Sequence, residues 1–259
     1  MSGMIQYSAV TTKVRAMQGK GLTAAQWQRL GQTRSLQGLW DTLSKCPGWA
    51  AVGEEPRGAQ SLEILTQSLL EQLSRDGRNL CHYLNREDSQ RIGLFLKRRQ
   101  AGADMTPEDY QKLWSQKELE VSGGKAVAGA EADAMNLVYI LRLRRFPASA
   151  VKAKSLLIPV RKDLSSGLID KLLAAKDDQA VLSLLQTTRW GDVFTSLAPG
   201  DLEKEYRVYM EQFCRHIITS AGPGLGQVQA FLTLKDLERQ RLTRLAAAVQ
   251  RGLDPSLVI

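Results

Sequence analysis

Apolar residues recur at helical spacing along most of this chain. In "SLEILTQSLLEQLSRDGRNLCHYL" the positions Leu62, Leu65, Leu69, Leu73, Leu80 and Leu84 keep to one side, the three-and-four spacing that lays a stripe along a helix. Runs that alternate apolar and polar between turn signals, as strands do, are hard to find. Gly, Ala and Pro gather at 51–60, 100–104, 121–132, 197–201 and 220–226, where they predict connections between helices. None of these breaks is long enough to be an independent linker. The pattern predicts a single all-α body.

"DAMNLVYILRLRR", residues 133–145, does not fit a one-sided stripe, because apolar residues surround almost the whole helix. Such a helix must pack on several sides at once. Related helices occur twice more. "DSQRIGLFLKRR" (88–99) aligns so that Asp88 meets Asp133, Arg91 meets Asn136, Ile92 meets Leu137 and Lys97 meets Arg142. In "ERQRLTRLAAAV" (238–249), Glu238, Arg241 and Leu242 fall in the same register. A second pattern joins "LTAAQWQRL" (22–30), "MTPEDYQKL" (105–113) and "LSSGLIDKL" (164–172). Thr23, Thr106 and Ser165 read there as N-caps, with Pro107 at a first helical position. "LEILTQSLLEQL" (62–73) also resembles "LEKEYRVYMEQF" (202–213), and Trp49 and Trp190 close similar segments upstream. The repeats predict three related modules, about 1–87, 88–132 and 133–259, with the middle one shortened.

Composition narrows the function classes. A chain of 259 residues, 43% hydrophobic and 24% charged, is ordinary for a globular protein. No apolar run approaches the ~18 residues of a membrane span, and the opening stretch lacks the apolar block and cleavage site of a secretory leader. Cys46, Cys81 and Cys214 stand at unrelated spacings, as reduced thiols of a cytosol would. The net charge of +8 fits an acidic partner, whether nucleic acid, anionic headgroups or an acidic protein.

The candidate chemistry is sparse. Asp88 and Asp133 are read as N-caps of the repeated helices rather than as proton or metal groups. Glu238, a poor cap, is read as a charge against the helix dipole. Asn136 must find hydrogen-bond partners in its apolar helix, and with Asp133 it is expected to join neighbouring modules. Basic residues end the repeats: Lys97, Arg98 and Arg99; Arg142, Arg144 and Arg145; Arg239, Arg241 and Arg244. They read either as solvated charges and dipole partners or as a partner-binding ring. "AGPGLG" (221–226) lacks the Lys-Ser/Thr of a nucleotide loop and reads as a helix connection. Cys81 with His82, and Cys214 with His216, do not supply the four spaced ligands of a zinc site. With two histidines and no nucleophile motif, no catalytic residue, metal, cofactor or small-molecule substrate is expected.

The three-fold plan resembles the C/d subunit family of rotary V-type and A-type ATPases. The likeness begins with "YSAVTTKVRAM", where Tyr7 and Arg15 match the family's opening helix, and continues through "LTAAQWQRL" and "DAMNLVYILRLRR" to the closing "LTLKDLERQRLTRLAAAVQRGLDPSLVI". The family's helix Asn stands here as Asn136, with Arg91 and Arg241 at the related positions. The resemblance implies a funnel of three helical modules with pseudo-three-fold symmetry and no active site. It implies a peripheral place on the cytoplasmic face of the membrane, on the proteolipid ring, receiving the foot of the central shaft and coupling ATP hydrolysis or synthesis to H+ or Na+ transport. The runs Lys97–Arg99 and Arg142–Arg145 are the candidate partner contacts. The alternative is a basic helical-repeat scaffold that binds nucleic acid. Against it, Trp27, Trp40, Trp49 and Tyr110 lie at core spacing instead of interleaving with the basic clusters as a base-stacking surface requires.

Overall fold

Helix starts in this chain are set by short polar side chains that accept the first free backbone N–H groups. Thr23 accepts from the Gln26 amide while the Gln26 side chain returns to the Thr23 N–H, a complete capping box. Ser35, Ser61, Asn85, Ser165 and Asp177 cap in the same way, each accepting from the amide three residues on. The expected caps Thr23 and Ser165 are therefore in place. Thr106 and Pro107 lie outside the described residues, as does Tyr110.

The computed structural model describes residues 2–50, 52, 61–99, 125–145, 150–158 and 161–258. Among them are eleven α-helices, a closing 3-10 turn and no strand. In order they are α1 (Ser2–Gln18), α2 (Ala24–Gly31), α3 (Leu36–Leu43), α4 (Leu62–Cys81), α5 (Arg86–Arg98), α6 (Lys125–Leu143), α7 (Ala150–Ser155), α8 (Ser166–Ala174), α9 (Asp178–Gln186), α10 (Pro199–Ser220) and α11 (Leu225–Gln250). The chain divides into two compact units, Met1–Leu113 with Ala221–Ile259, and Trp114–Ser220. The all-α expectation holds.

In the first unit α11 is the axis, with α4, α1, α3 and the 3-10 turn Pro255–Val258 packed on it. Leu242, Leu245 and Ala246 of α11 close a core with Leu30, Leu39, Leu43, Trp49, Leu65 and Leu69. The stripe predicted on α4 is the buried one: Leu65, Leu69, Leu73 and Leu80 are at most 1% exposed. In the second unit α6 takes the axial place against α10 and α8. Every residue from Val127 to Ala134 is buried, as are Asn136, Leu137, Val138, Ile140 and Leu141, which is the many-sided packing that its sequence predicted. Trp190, Tyr209 and Phe213 form a tilted aromatic row beside it.

Two expectations need correction. The stretch 121–132 is not a connection over its described part, because α6 already runs from Lys125. Its Gly and Ala residues serve close approach instead: a Cβ on Gly129 would lie 2.9 Å from Lys162 Cβ. Secondly, neither Asp88 nor Asp133 caps its own helix. Asn85 is the N-cap of α5, and its side chain accepts from the Asp88 amide at 2.8 Å. Asp133 lies two turns inside α6. The connection expected at 220–226 is confirmed as the turn between α10 and α11.

Asp88, freed from capping, ties α5 to α1. Its Oδ2 accepts the Tyr7 hydroxyl at 2.5 Å, and Oδ1 accepts from Arg91 at 3.3 Å. Burial, then the bond to Asp88, push the Tyr7 phenol up to about 12. A raised phenol pKa means that the folded protein holds this proton longer than the unfolded chain does. Its contribution is complete below the ordinary tyrosine value of about 10 and is lost as pH rises from there through about 12. Tyr7→Phe is expected to lower stability by about 1 kcal/mol at neutral pH and to flatten the loss of stability across that alkaline window. Urea titrations at several pH values check both.

Candidate functional site

Asp133 is fully buried in a helix that is otherwise apolar on most sides. A carboxylate in that position demands donors, and the chain supplies three consecutive backbone N–H groups. Oδ1 accepts from Lys162 at 3.1 Å, and Oδ2 accepts from Asp163 at 2.5 Å and Leu164 at 3.0 Å. Burial pushes the Asp133 carboxyl above its usual range, and the three N–H donors pull it back. Gly129, one turn earlier, leaves the room in which the 162–164 backbone reaches the acid. Asn136 lies one turn further on, and its amide pairs with both backbone groups of Ile158, donating at 3.0 Å and accepting at 2.8 Å. The partners of Asp133 and Asn136 thus lie in the segment 158–164, inside the same compact unit.

Glu238 does the equivalent in the first unit. Its Oε1 accepts from the Leu22 amide at 3.1 Å and its Oε2 from Trp49 Nε1 at 3.1 Å. Leu22 directly precedes the cap Thr23, and Leu164 directly precedes the cap Ser165. The two sequence repeats, acid helix and capped helix, therefore meet through the same bond: the acid holds the last amide before the cap. The dipole role expected of Glu238 is corrected accordingly. Trp190 Nε1, related in sequence to Trp49, meets no acceptor among the described residues.

The basic helix ends are mostly engaged inside the fold. Arg99 ion-pairs with Asp236 at 3.1 Å with both side chains under 10% exposed, and its guanidinium lies 3.4 Å from the centre of the Phe95 ring. Arg144 donates to the carbonyls of Leu172 and Ala175 at 2.7 Å each, closing the C-terminus of α8. Those orphan carbonyls carry the negative end of the helix dipole, so a cation is well placed there. Arg145 donates to the Leu197 carbonyl, and Arg142 pairs with Glu203. Lys97 and Arg98 are half-buried. Arg241 lies over the Trp27 ring at 4.2 Å, and Arg239 pairs with Asp236 at 2.7 Å.

A further charged group was not singled out from the sequence. Lys235, on α11, is 5% exposed; it donates to the Gly48 carbonyl, lies 3.7 Å from the centre of the Trp49 ring and faces Asp76 at 3.9 Å. Burial lowers its pKa, with Glu238 and then Asp76 opposing. Burial raises the Asp76 carboxyl, with Lys235 opposing. The sequence signal was a lysine inside "AFLTLKDL", surrounded by apolar positions. Cys46, Cys81 and Cys214 form no disulfide among the described residues.

Two measurements separate the roles of these residues. Asn136→Leu leaves the Ile158 N–H and carbonyl without their partner and is expected to cost about 1–3 kcal/mol in urea unfolding. Arg144→Ala is expected to cost about 1.5–3 kcal/mol, whereas Arg142→Ala, whose side chain is 54% exposed, should stay within about 1 kcal/mol. Equal losses at the two arginines would contradict the assignment of Arg144 to the end of α8.

The profile of the protein family described as ATP synthase (C/AC39) subunit matches residues 106–258. No curated protein matches the chain. The matched stretch holds the whole second unit, both acid helices α6 and α11, and the Asp133 bond to the segment before Ser165. It spans more than half of the sequence and agrees with the all-helical architecture. The chain belongs to the ATP synthase (C/AC39) subunit family of V/A-type rotary complexes.

Proposed function

We propose that this protein is a non-catalytic connector of a V/A-type rotary ATPase. It joins the central shaft to the membrane proteolipid ring and so couples ATP hydrolysis or synthesis to H+ or Na+ transport. The match over residues 106–258 carries the reading. The build of each unit supports it. A part that transmits rotation must resist twisting, and here long axial helices are fixed to their surroundings by carboxylates, the buried Asp133 and the half-buried Glu238, each bonded to backbone far along the chain. No helix among the described residues is long and apolar enough to cross a membrane, which fits attachment from the cytoplasmic side. The three related modules of the sequence, 1–87, 88–132 and 133–259, are part of the same proposal.

The partner surface is narrower than six equivalent charges. Arg99, Arg144 and Arg145 are committed to Asp236 or to backbone carbonyls, and Arg142, which pairs with Glu203 but keeps its side chain 54% exposed, is the better candidate for contact with anionic headgroups or an acidic shaft. The arginine–aromatic pairs Arg99–Phe95 and Arg241–Trp27 are internal uses of the rings that a nucleic-acid scaffold would need for stacking. A tagged chain is expected to recover proteolipid and shaft subunits from detergent-solubilised membranes. Arg142→Glu should lower that recovery at low salt, and the difference should narrow as added salt shortens the screening length below ~8 Å. Recovery of nucleic acid without either subunit would overturn the reading.

A further inference from the structure

The space beside the Lys235–Asp76 pair opens as a cleft that the proposed function does not use. It has a volume of about 150 Å³ and lies wholly within the unit of Met1–Leu113 and Ala221–Ile259. Helix α1 brings Lys13 to it, the turn after α1 brings Lys20, α4 brings Gln72 and Asp76, and α11 brings Lys235. Three ammonium groups therefore share the space with one carboxylate. Such a balance attracts an anion, and the low-dielectric walls of a cleft concentrate the field.

The same walls also present acceptors. Gln72 is buried; its Nε2 donates to Asp76 Oδ1 at 2.9 Å, and its Oε1 accepts no hydrogen bond among the described residues. Asp76 Oδ2 has the Lys235 ammonium at 3.9 Å, beyond hydrogen-bond reach. A buried acceptor left without a donor is an exception that asks for a cause. The backbone at Gly48 is shaped to this place as well. A Cβ there would lie 2.5 Å from the Lys20 carbonyl oxygen and 3.0 Å from Lys235 Nζ, so only glycine lets these two segments meet at the wall.

We propose that this cleft binds a phosphorylated polyol, its phosphate held by Lys13 and Lys20 beside Lys235 and its hydroxyls donating to Gln72 Oε1 and Asp76. A bare phosphate, with its one or two P–O–H donors at neutral pH, cannot both meet the lysines and satisfy Gln72 and Asp76 without setting its own charge against the Asp76 carboxylate. An uncharged polyol would leave the lysines without a counter-charge. A phosphate with neighbouring hydroxyls answers both demands. Lys20 and Asn79 are exposed at the mouth, so the rest of a larger molecule projects outward. The polyol phosphate can therefore be a free small molecule or a lipid headgroup.

Calorimetry on the full chain with glycerol 3-phosphate tests this, with inorganic phosphate and glycerol as comparators. Glycerol 3-phosphate is expected to bind saturably, and each comparator at least about tenfold more weakly. The double variant Lys13→Ala, Lys20→Ala alters side chains at the cleft mouth; it should keep the wild-type Tm and lose about tenfold in affinity. Gln72→Met should remove the preference for glycerol 3-phosphate over inorganic phosphate. Sedimentation with phosphatidylglycerol vesicles, competed by glycerol 3-phosphate and absent with phosphatidylcholine, would assign the site to a headgroup. Binding of the soluble probe alone would assign it to a small molecule, and both results support the proposal. It is overturned by no saturable binding to the folded protein, by inorganic phosphate binding equally well, by an unaffected lysine variant, or by a glutamate-rich peptide that occupies the cleft in preference to the phosphate.

Discussion

The rest of the fold depends on one constraint: a carboxylate inside an axial helix must be supplied with donors. Asp133 on α6 is fully buried, where an unsatisfied acid would be strongly destabilising, and Glu238 on α11 is half-buried. Each is satisfied by the backbone of the segment that leads into a capped helix, at Leu164 and at Leu22. The acid thereby does two things. It settles its own burial, and it fixes where the next helix begins relative to the axis, because the very next residue, Ser165 or Thr23, is the cap. Hydrogen bonds to a charged group are stronger than neutral ones, so these junctions are stiff points. The recurring acid and the recurring cap in the sequence are the two halves of one repeated joint.

The basic residues follow a related economy. Most of the arginines that end the repeated helices are spent on order within the fold: on the carbonyls that close α8, on Leu197 and on Asp236. For a part of a rotary machine this matters, since a guanidinium locked between chain segments resists shear where a solvated one does not. The excess positive charge of the chain is consequently carried by fewer accessible groups than its sequence implies, among them Arg142 and Lys20 at the mouth of the cleft.

Much of this was legible beforehand. Helical spacing located α4 and its buried leucines, the caps Thr23 and Ser165 were read correctly, and an all-round apolar pattern gave the axial character of α6. The acids were recognised as recurring but were given the wrong job. A cap and an interior acid look alike in sequence when the stretch before them is rich in Gly and Ala, and at 125–132 those small residues make close contact rather than a turn. The partners of Arg144 and Asp133 lie 28 to 31 residues away, a distance over which periodicity carries no information. Lys235 was passed over because one lysine among apolar residues leaves its periodic pattern intact, while its partners, Gly48 and Asp76, come from distant parts of the chain.

Native-state hydrogen exchange, resolved to single amides, tests the joint most directly, since it reports the free energy of opening each bond. The Leu22 and Leu164 amides should exchange only with the opening of their units, as slowly as amides in the middle of α11 and α6. Asp133→Asn should release 162–164 and leave Leu22 protected, and Glu238→Gln should do the reverse. Exchange of Leu22 and Leu164 in the wild-type protein at the rate of an exposed loop would contradict the central claim.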